Sequence, residues 1–366
     1  MKARIEKLSL PPGRRILAVS DVHGNLPYLK GLLEKARFCT RDVLIIVGDL
    51  LEKGPYSLDT LRFVMELSRT HEVYTVCGNC DWWFKLLNTP ELIDTQHSLW
   101  YIKSKPYNLA RQMCEEIGCE GFGRLDVLEM LDVLAGPFQK EFEFMGAMPE
   151  VLDAGDYVFV HGGLPEGAPE DWDAWQCMKY NNFLNCGRSF DRWVVCGHTP
   201  VMLYHDDIVC ANPIIDREKR IISIDGGCVL KDDGQLNALV IPYAGSEDFS
   251  WIAYDPFPTA VVLDAQAPSE KSWYIRWGDA RVRVLERGDE FCRCRHLRTG
   301  YEMDILTKYV RGGGEAAEVN DCTDYVLPLR PGDTVSVVES TSRGYFVKHR
   351  GVSGWYRGRL EINGQT

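Results

Sequence analysis

The stretch RILAVSDVHGN, residues 15–25, runs as a short block of Ile, Leu, Ala and Val that stops at an aspartate and opens into an Asp-x-His-Gly-Asn loop. Apolar runs of this length, bounded by turn residues, read as strands buried on both faces. Four more runs repeat the pattern: DVLIIVGD (42–49), EVYTVCGN (72–79), DYVFVHGG (156–163) and RWVVCGHT (192–199). Between the first three lie stretches 26–38 and 57–69, with Leu, Phe, Val or Met recurring at three- and four-residue steps, which predicts helices. The alternation predicts an α/β layer architecture. After Thr199 the closely spaced runs RIISIDGG (220–227) and QLNALVIP (235–242) predict a second, β-rich sheet, hence a two-sheet β-sandwich flanked by helices.

Each of the five runs ends in a residue with a lone pair for a hard or borderline metal: Asp21 and His23, Asp49, Asn79, His161 and His198. Taken singly, these are ordinary turn formers, helix caps or histidines at a core edge. Taken together they converge, because open α/β sheets gather their ligands at the carboxyl ends of the strands. Glycines beside them, in His23-Gly24, Gly78-Asn79 and His161-Gly162-Gly163, permit sharp turns and close approach. Carboxylate, imidazole and amide oxygen favour Mn, Fe or Zn over a thiolate site, and one carboxylate can bridge two ions roughly 3.5–4 Å apart. The cofactor expected is therefore a pair of divalent metal ions, and the chemistry hydrolysis.

The blocks SDVHGN, VGDLLEKGPYS, GNCD, HGG and GHTP, followed by SIDGGC (223–228), resemble the ordered motifs of calcineurin-like metallophosphoesterases over about residues 14–245. The HGG and GHTP pair is similar to the serine/threonine phosphoprotein phosphatase branch and its bacterial relatives, including symmetrical diadenosine tetraphosphatases. The resemblance implies that Asp21 and His23 bind one metal, that Asp49 bridges, and that Asn79, His161 and His198 bind the other. It also brings Asp49, Lys53, Cys80 and Asp81 to the reacting centre. Three positions depart from that branch. Glu52-Lys53-Gly54 stands for Asp-Arg-Gly, so Lys53 meets phosphate as a point charge without a guanidinium fork. Cys77 replaces an arginine that clamps phosphate. Cys80 replaces the histidine that protonates the leaving oxygen, which biases the site toward leaving groups that need no proton.

Three functions follow as expectations. The first is hydrolysis of phosphomonoesters, phosphoserine or phosphothreonine included. The second is cleavage of a nucleotide anhydride or phosphodiester, with Trp82 and Trp83 as stacking surfaces beside the metal loop. The third is a non-enzymatic binding platform. The substrate in the enzymatic readings is phosphorylated, a phosphoprotein or a nucleotide.

At 366 residues the chain calls for more than one domain. The metallophosphoesterase domain is expected over 1–245, with a helical cap insertion at about 82–155 whose helices fall at 108–117 and 124–134. A linker rich in proline and turn residues is expected at 246–271. Beyond it VRVLE (282–286) matches VSVVE (335–339), and Cys294-Arg295-His296 matches Val347-Lys348-His349 at the same offset. This predicts a C-terminal all-β domain, 272–366, of tandem small barrel-like repeats that resemble bacterial Src-homology-3-like modules and take a peptide or glycan partner. The formal net charge is -12, yet the segment from residue 271 carries 16 Lys and Arg against 13 Asp and Glu. An acidic protein is not built to hold a nucleic-acid backbone, whereas the slightly basic tail suits an anionic partner. With 13 scattered cysteines, reduced buried thiols fit better than a disulfide framework. No apolar run approaches the roughly 18 residues of a membrane span, and no signal-peptide core opens the chain, so a cytoplasmic location is expected.

Overall fold

The computed structural model describes residues 1–82, 95–119, 122–312 and 316–362. It divides into two compact units. The first comprises Met1–Pro200, Pro213–Leu230 and Gly234–Tyr254, and the second comprises Val201–Asn212, Lys231–Asp233 and Asp255–Thr366.

Two mixed sheets build the first unit. In one, strands Ile16–Val19, Val43–Val47 and Glu72–Val76 run parallel. Leu236–Ile241 then joins Ile16–Val19 antiparallel, and Ser250–Tyr254 continues outward from it. In the other, Tyr157–Val160, Trp193–Cys196 and Ile221–Ser223 are parallel neighbours, with Val151–Ala154 and Ile5–Lys7 beyond on one side and Ile214–Asp216 on the other. Strand periodicity sorts the apolar side chains into two cores. Ile16, Ala18, Val43 and Ile45 face Phe159, Trp193, Val195 and Ile222 between the sheets. Leu17, Val19, Leu44 and Ile46 face the opposite way, onto Leu29, Leu32, Leu61 and Val64. Those leucines and Val64 belong to helices Leu26–Lys35 and Ser57–Leu67.

The strand-bearing runs thus form two sheets in a different grouping from that expected. Residues 220–227 and 235–242 meet at an isolated parallel bridge, Gly227 with Gln235, but form no separate sheet: Ile221–Ser223 extends the Trp193–Cys196 sheet, whereas Leu236–Ile241 returns to the first. Backbone pairing is satisfied at whichever edge is open, and the edge beside Ile16–Val19 accepts an antiparallel strand. Within the insertion, helices Leu109–Glu116 and Val127–Ala135 match the predicted pair, joined by Thr95–Ser104 and Gln139–Ala147. Met113, Met130, Leu134 and Met145 extend the outer core of the first sheet. The end of the insertion is different: Val151–Ala154 is a strand of the second sheet. Segment 246–271, expected as a linker, holds strands Ser250–Tyr254 and Thr259–Val262, one in each unit. Its prolines fall between and after those strands, where no ladder donor is missed.

The second unit is all-β apart from short turns among its described residues. Strands Arg281–Arg287, Phe291–His296 and Glu302–Leu306 form one meander, and Thr334–Thr341, Gly344–His349 and Val352–Tyr356 another. Each has a bulge at the equivalent point of its first strand, between Val284 and Glu286 and between Val337 and Glu339. The repeat seen in the residues is therefore a repeat of backbone geometry. None of the 13 cysteines is in a disulfide. No helix among the described residues is long and apolar enough to cross a membrane.

Candidate metal centre

The loops that leave the five strands meet in one place. His23 Nε2 lies 3.7 Å from Asp21 Oδ1 and 3.8 Å from Asp49 Oδ2, and His161 Nε2 lies 3.3 Å from Asp49 Oδ1. The His161 and His198 rings are 5.3 Å apart between centroids. Asp21, His23, Asp49 and His161 are buried, while Asn79 and His198 are half-buried. Donor atoms of Asp21, Asp49 and His161 lie within 4.8 Å of one another, as do those of His23, Asp49 and Cys80. Asp49 belongs to both groups, as a bridging carboxylate would.

Backbone geometry holds this convergence. Asp21, His23, Asp49 and His198 have φ of 55°, 51°, 49° and 66°, and Glu52 and Lys53 share the left-handed region. Non-glycine residues adopt it at a cost, and such residues cluster at functional sites. Gly78 allows the approach of the Asp49 loop: a Cβ there would fall 2.2 Å from Asp49 N and Oδ1. A Cβ on Gly48, at φ +79°, would fall 2.6 Å from the His161 ring.

The imidazoles are oriented from behind. His161 Nδ1 is 2.9 Å from Val47 O and His23 Nδ1 is 3.4 Å from Leu51 O, which turns both Nε2 atoms inward. His198 is held the other way round: its Nε2 is 2.8 Å from Asn181 Oδ1, leaving Nδ1 as the free lone pair, and its backbone N–H donates to Asp21 Oδ2 at 3.1 Å. Burial takes the His23 and His198 pKa values down to about 3, so both rings are neutral. Burial pushes Asp21 up to about 6. It acts on Asp49 in the same sense, but His161, His23 and Lys53 outweigh it and hold that carboxyl well below its usual range. Burial also opposes the charge of His161, yet Asp49 and Asp21 push its pKa up to about 10.

The donors fit a cation pair on the structure's own terms. His161 Nε2 and Asn79 Oδ1 are buried without a hydrogen-bond partner, and so is Asp225 Oδ2. Buried polar atoms left in that state are costly unless a ligand meets them. The neutral imidazoles of His23 and His198, an amide oxygen and two carboxylates offer lone pairs that Mn, Fe or Zn takes. His161, held protonated by Asp49 and Asp21, would give up its Nε2 proton to a cation.

Of the residues expected to react, Lys53 and Cys80 reach the centre. Lys53 Nζ is 3.5 Å from His23 Nε2; burial works against its charge, but Cys80, Asp49 and Asp21 hold its pKa above the usual value. Cys80 donates its N–H to Asp49 Oδ1 at 2.8 Å, its Sγ accepts from Asn79 Nδ2 at 3.3 Å, and burial raises its thiol pKa well above the ordinary value. Asp81 is placed otherwise. Its Oδ2 accepts the N–H groups of Gly78 and Leu50 at 2.9 and 3.3 Å, and its Oδ1 that of Leu51 at 3.0 Å. Both oxygens are committed to backbone, so Asp81, expected at the reacting centre, instead ties two ligand loops together as a positioning residue. Trp82 packs on Trp175 with ring centroids 5.2 Å apart, and Trp175 is 41% exposed. Trp83 lies outside the described residues.

The sequence gives no sign of Asn181, and Glu52 stands in a motif without a role of its own. Nothing in the spelling of residues 180–183 marks Asn181, which acts only through the His198 ring. Glu52 is fully buried, accepts the Leu109 N–H at 2.9 Å, and is pushed by burial up to about 8, so its carboxyl stays protonated at neutral pH. Asp225 was quoted within a motif without a role; its Oδ1 accepts the Gly227 N–H at 2.8 Å.

A family model described as calcineurin-like phosphoesterase matches residues 14–206. A symmetrical bis(5'-nucleosyl)-tetraphosphatase of Thioalkalivibrio sulfidiphilus is 49% identical over 67 residues, 18% of this chain and 24% of that protein, so the match spans about a quarter of that relative's length. The asymmetrical bis(5'-nucleosyl)-tetraphosphatase PrpE of Bacillus subtilis is 26% identical over 234 residues, 58% of this chain and 85% of that protein. Among solved structures, a metallophosphoesterase from Sphaerobacter thermophilus aligns over 66% of this chain and 89% of its own, at 17% identity and a TM-score of 0.40.

Proposed function

The chain belongs to the calcineurin-like phosphoesterase family, and from that premise we propose that it hydrolyses a nucleotide phosphoanhydride of the bis-nucleosyl polyphosphate class with the help of two divalent metal ions. Asp21, His23, Asp49, Asn79, His161 and His198 would hold the ions, with Asp49 shared. When bound, such ions supply Lewis acidity toward phosphoryl oxygens and a lowered pKa for coordinated water. Lys53 stands beside His23 as a fixed positive charge for a phosphate oxygen. Asp81 keeps the Asp49 and Asn79 loops in register, and Asn181 fixes the His198 tautomer.

One observation carries the choice of substrate: a buried thiol whose pKa is raised, Cys80, follows Asn79 at the position that the family resemblance gives to a proton-donating histidine. A serine or threonine alkoxide leaves poorly without that proton, whereas a nucleoside polyphosphate leaves as a stabilised anion. The exposed face of Trp175 beside Trp82 offers a base a stacking surface, and the names of the relatives agree with this class. The phosphoprotein reading rests on the resemblance of the HGG and GHTP blocks and stands second.

The test is a substrate panel with added Mn: diadenosine tetraphosphate, p-nitrophenyl phosphate, bis-p-nitrophenyl phosphate and a phosphothreonine peptide. The highest kcat/KM is expected on diadenosine tetraphosphate. Turnover of the peptide alone would sink the proposal.

A further inference from the structure

The second unit contains a cavity of about 520 Å3, within the roughly 300–1,000 Å3 range of small-molecule and cofactor sites. Four cations line it: Lys271, Arg293, Arg343 and Arg357. Two of them are already engaged. Arg343 pairs with Asp304 at 2.8 Å and lies 4.4 Å above the Phe291 ring, and Arg293 reaches Glu302 and Asp304 at 3.4 and 3.6 Å. The other two, Lys271 and Arg357, are exposed, and neither makes an ion pair among the described residues.

The wall keeps a net positive charge, since its four cations face two carboxylates. Asp304 is taken by the two engaged arginines, and Asp324 accepts the Trp273 N–H and the Tyr301 hydroxyl, each at 2.8 Å. The aromatic wall is anchored by a hydrogen bond and by ring packing. Trp355 is half-buried, donates its Nε1–H to Thr323 O at 2.8 Å, and packs in tilted contact on Phe291 and Phe346 with centroids 5.9 and 5.4 Å away. A cavity of this size with two free cations and a fixed aromatic wall matches a ligand that is anionic at one end and flat and aromatic at the other.

We infer that this cavity binds a mononucleotide, with its phosphates on Lys271 and Arg357 and its base against the Trp355 wall. The site lies wholly within the second unit and does not depend on the catalytic reading.

Calorimetric titration of the full chain with ADP tests it, with Asp49→Asn as the control for binding at the metal centre. Lys271→Glu with Arg357→Glu reverses two exposed side chains without touching either core. ADP binding outside the metal centre is expected to persist in Asp49→Asn and to weaken at least about tenfold in the double reversal, as charge-assisted phosphate contacts are lost. Pyrophosphate and adenosine are each expected to bind more weakly than ADP. The inference is overturned if ADP fails to bind Asp49→Asn, or if the double reversal leaves its affinity unchanged. It is overturned equally if pyrophosphate or a poly-glutamate peptide binds as tightly as ADP, since the cavity would then select charge alone.

Discussion

Cys80 and Asp81 are neighbours with opposite duties. The thiol faces the donors of His23 and Asp49, while the carboxylate turns away to gather three backbone amides. The difference yields two predictions. Cys80→His places an imidazole where proton donation helps a poor leaving group, so activity on a phosphothreonine peptide should rise by about 10²-fold, in the range general acids supply. Steady-state kinetics with Mn on the peptide and on diadenosine tetraphosphate would show it, and an unchanged ratio of the two would refute it. Asp81→Ala should leave three buried amides unsatisfied at a cost of about 1–3 kcal/mol each at most, read by urea unfolding. An unaltered midpoint would mean that Asp81 ties nothing. That Asp21, His23, Asp49, His161 and His198 come close together was legible because each follows an apolar run at its carboxyl end. The duty of Asp81 was not, because one letter after Asn79-Cys80 says nothing about which way a carboxylate points.

At the scale of elements, glycine and ion pairs set how closely the loops approach. Gly78→Ala would drive a Cβ into the Asp49 backbone, where the gap is 2.2 Å, so the loops must part. Activity should fall by about 10²-fold, the size of effect expected from a 1 Å misplacement, while circular dichroism stays unchanged. Wild-type turnover would show that the loops can yield. The strand Val43–Val47 is entered through a second restraint. Asp42 accepts Arg15 Nε at 3.0 Å and Nη2 at 2.7 Å, and also the Cys39 N–H at 2.9 Å. Burial raises the Asp42 pKa, but Arg15 and Cys39 outweigh it and leave it below the ordinary carboxylate value. A depressed folded pKa stabilises the protein above the unfolded value of about 4 and loses that contribution as pH falls through the folded one. Asp42→Asn should therefore cost about 2 kcal/mol at pH 7 by urea unfolding and less near pH 3. A penalty of equal size at both would contradict the ion-pair account. Helix positions were readable from the spacing of Leu29, Leu32, Leu61 and Val64. The sheet that Leu236–Ile241 joins was not, since its apolar run suits either sheet and only pairing of Ala238 with Val19 decides.

At the scale of the whole molecule, each unit has its own apolar cores: Leu239 and Phe159 lie in one of the first unit's, Cys294 and Met303 in one of the second's. The matching bulges at Val284 and Val337 show that the sequence repeat past residue 281 has a physical basis, which alternation alone announced. The strands within 246–271 escaped notice because prolines dominate the reading of short segments. Six side chains at the ends of five strands would hold the two ions. The direct measurement is metal content, by mass spectrometry after equilibration with Mn and desalting, of the full chain and of Asp49→Asn and His161→Ala. The account predicts about two ions per chain for the wild type, as a bridged pair requires, and fewer for both variants. A wild type that retains no metal, or variants that retain as much, would contradict it.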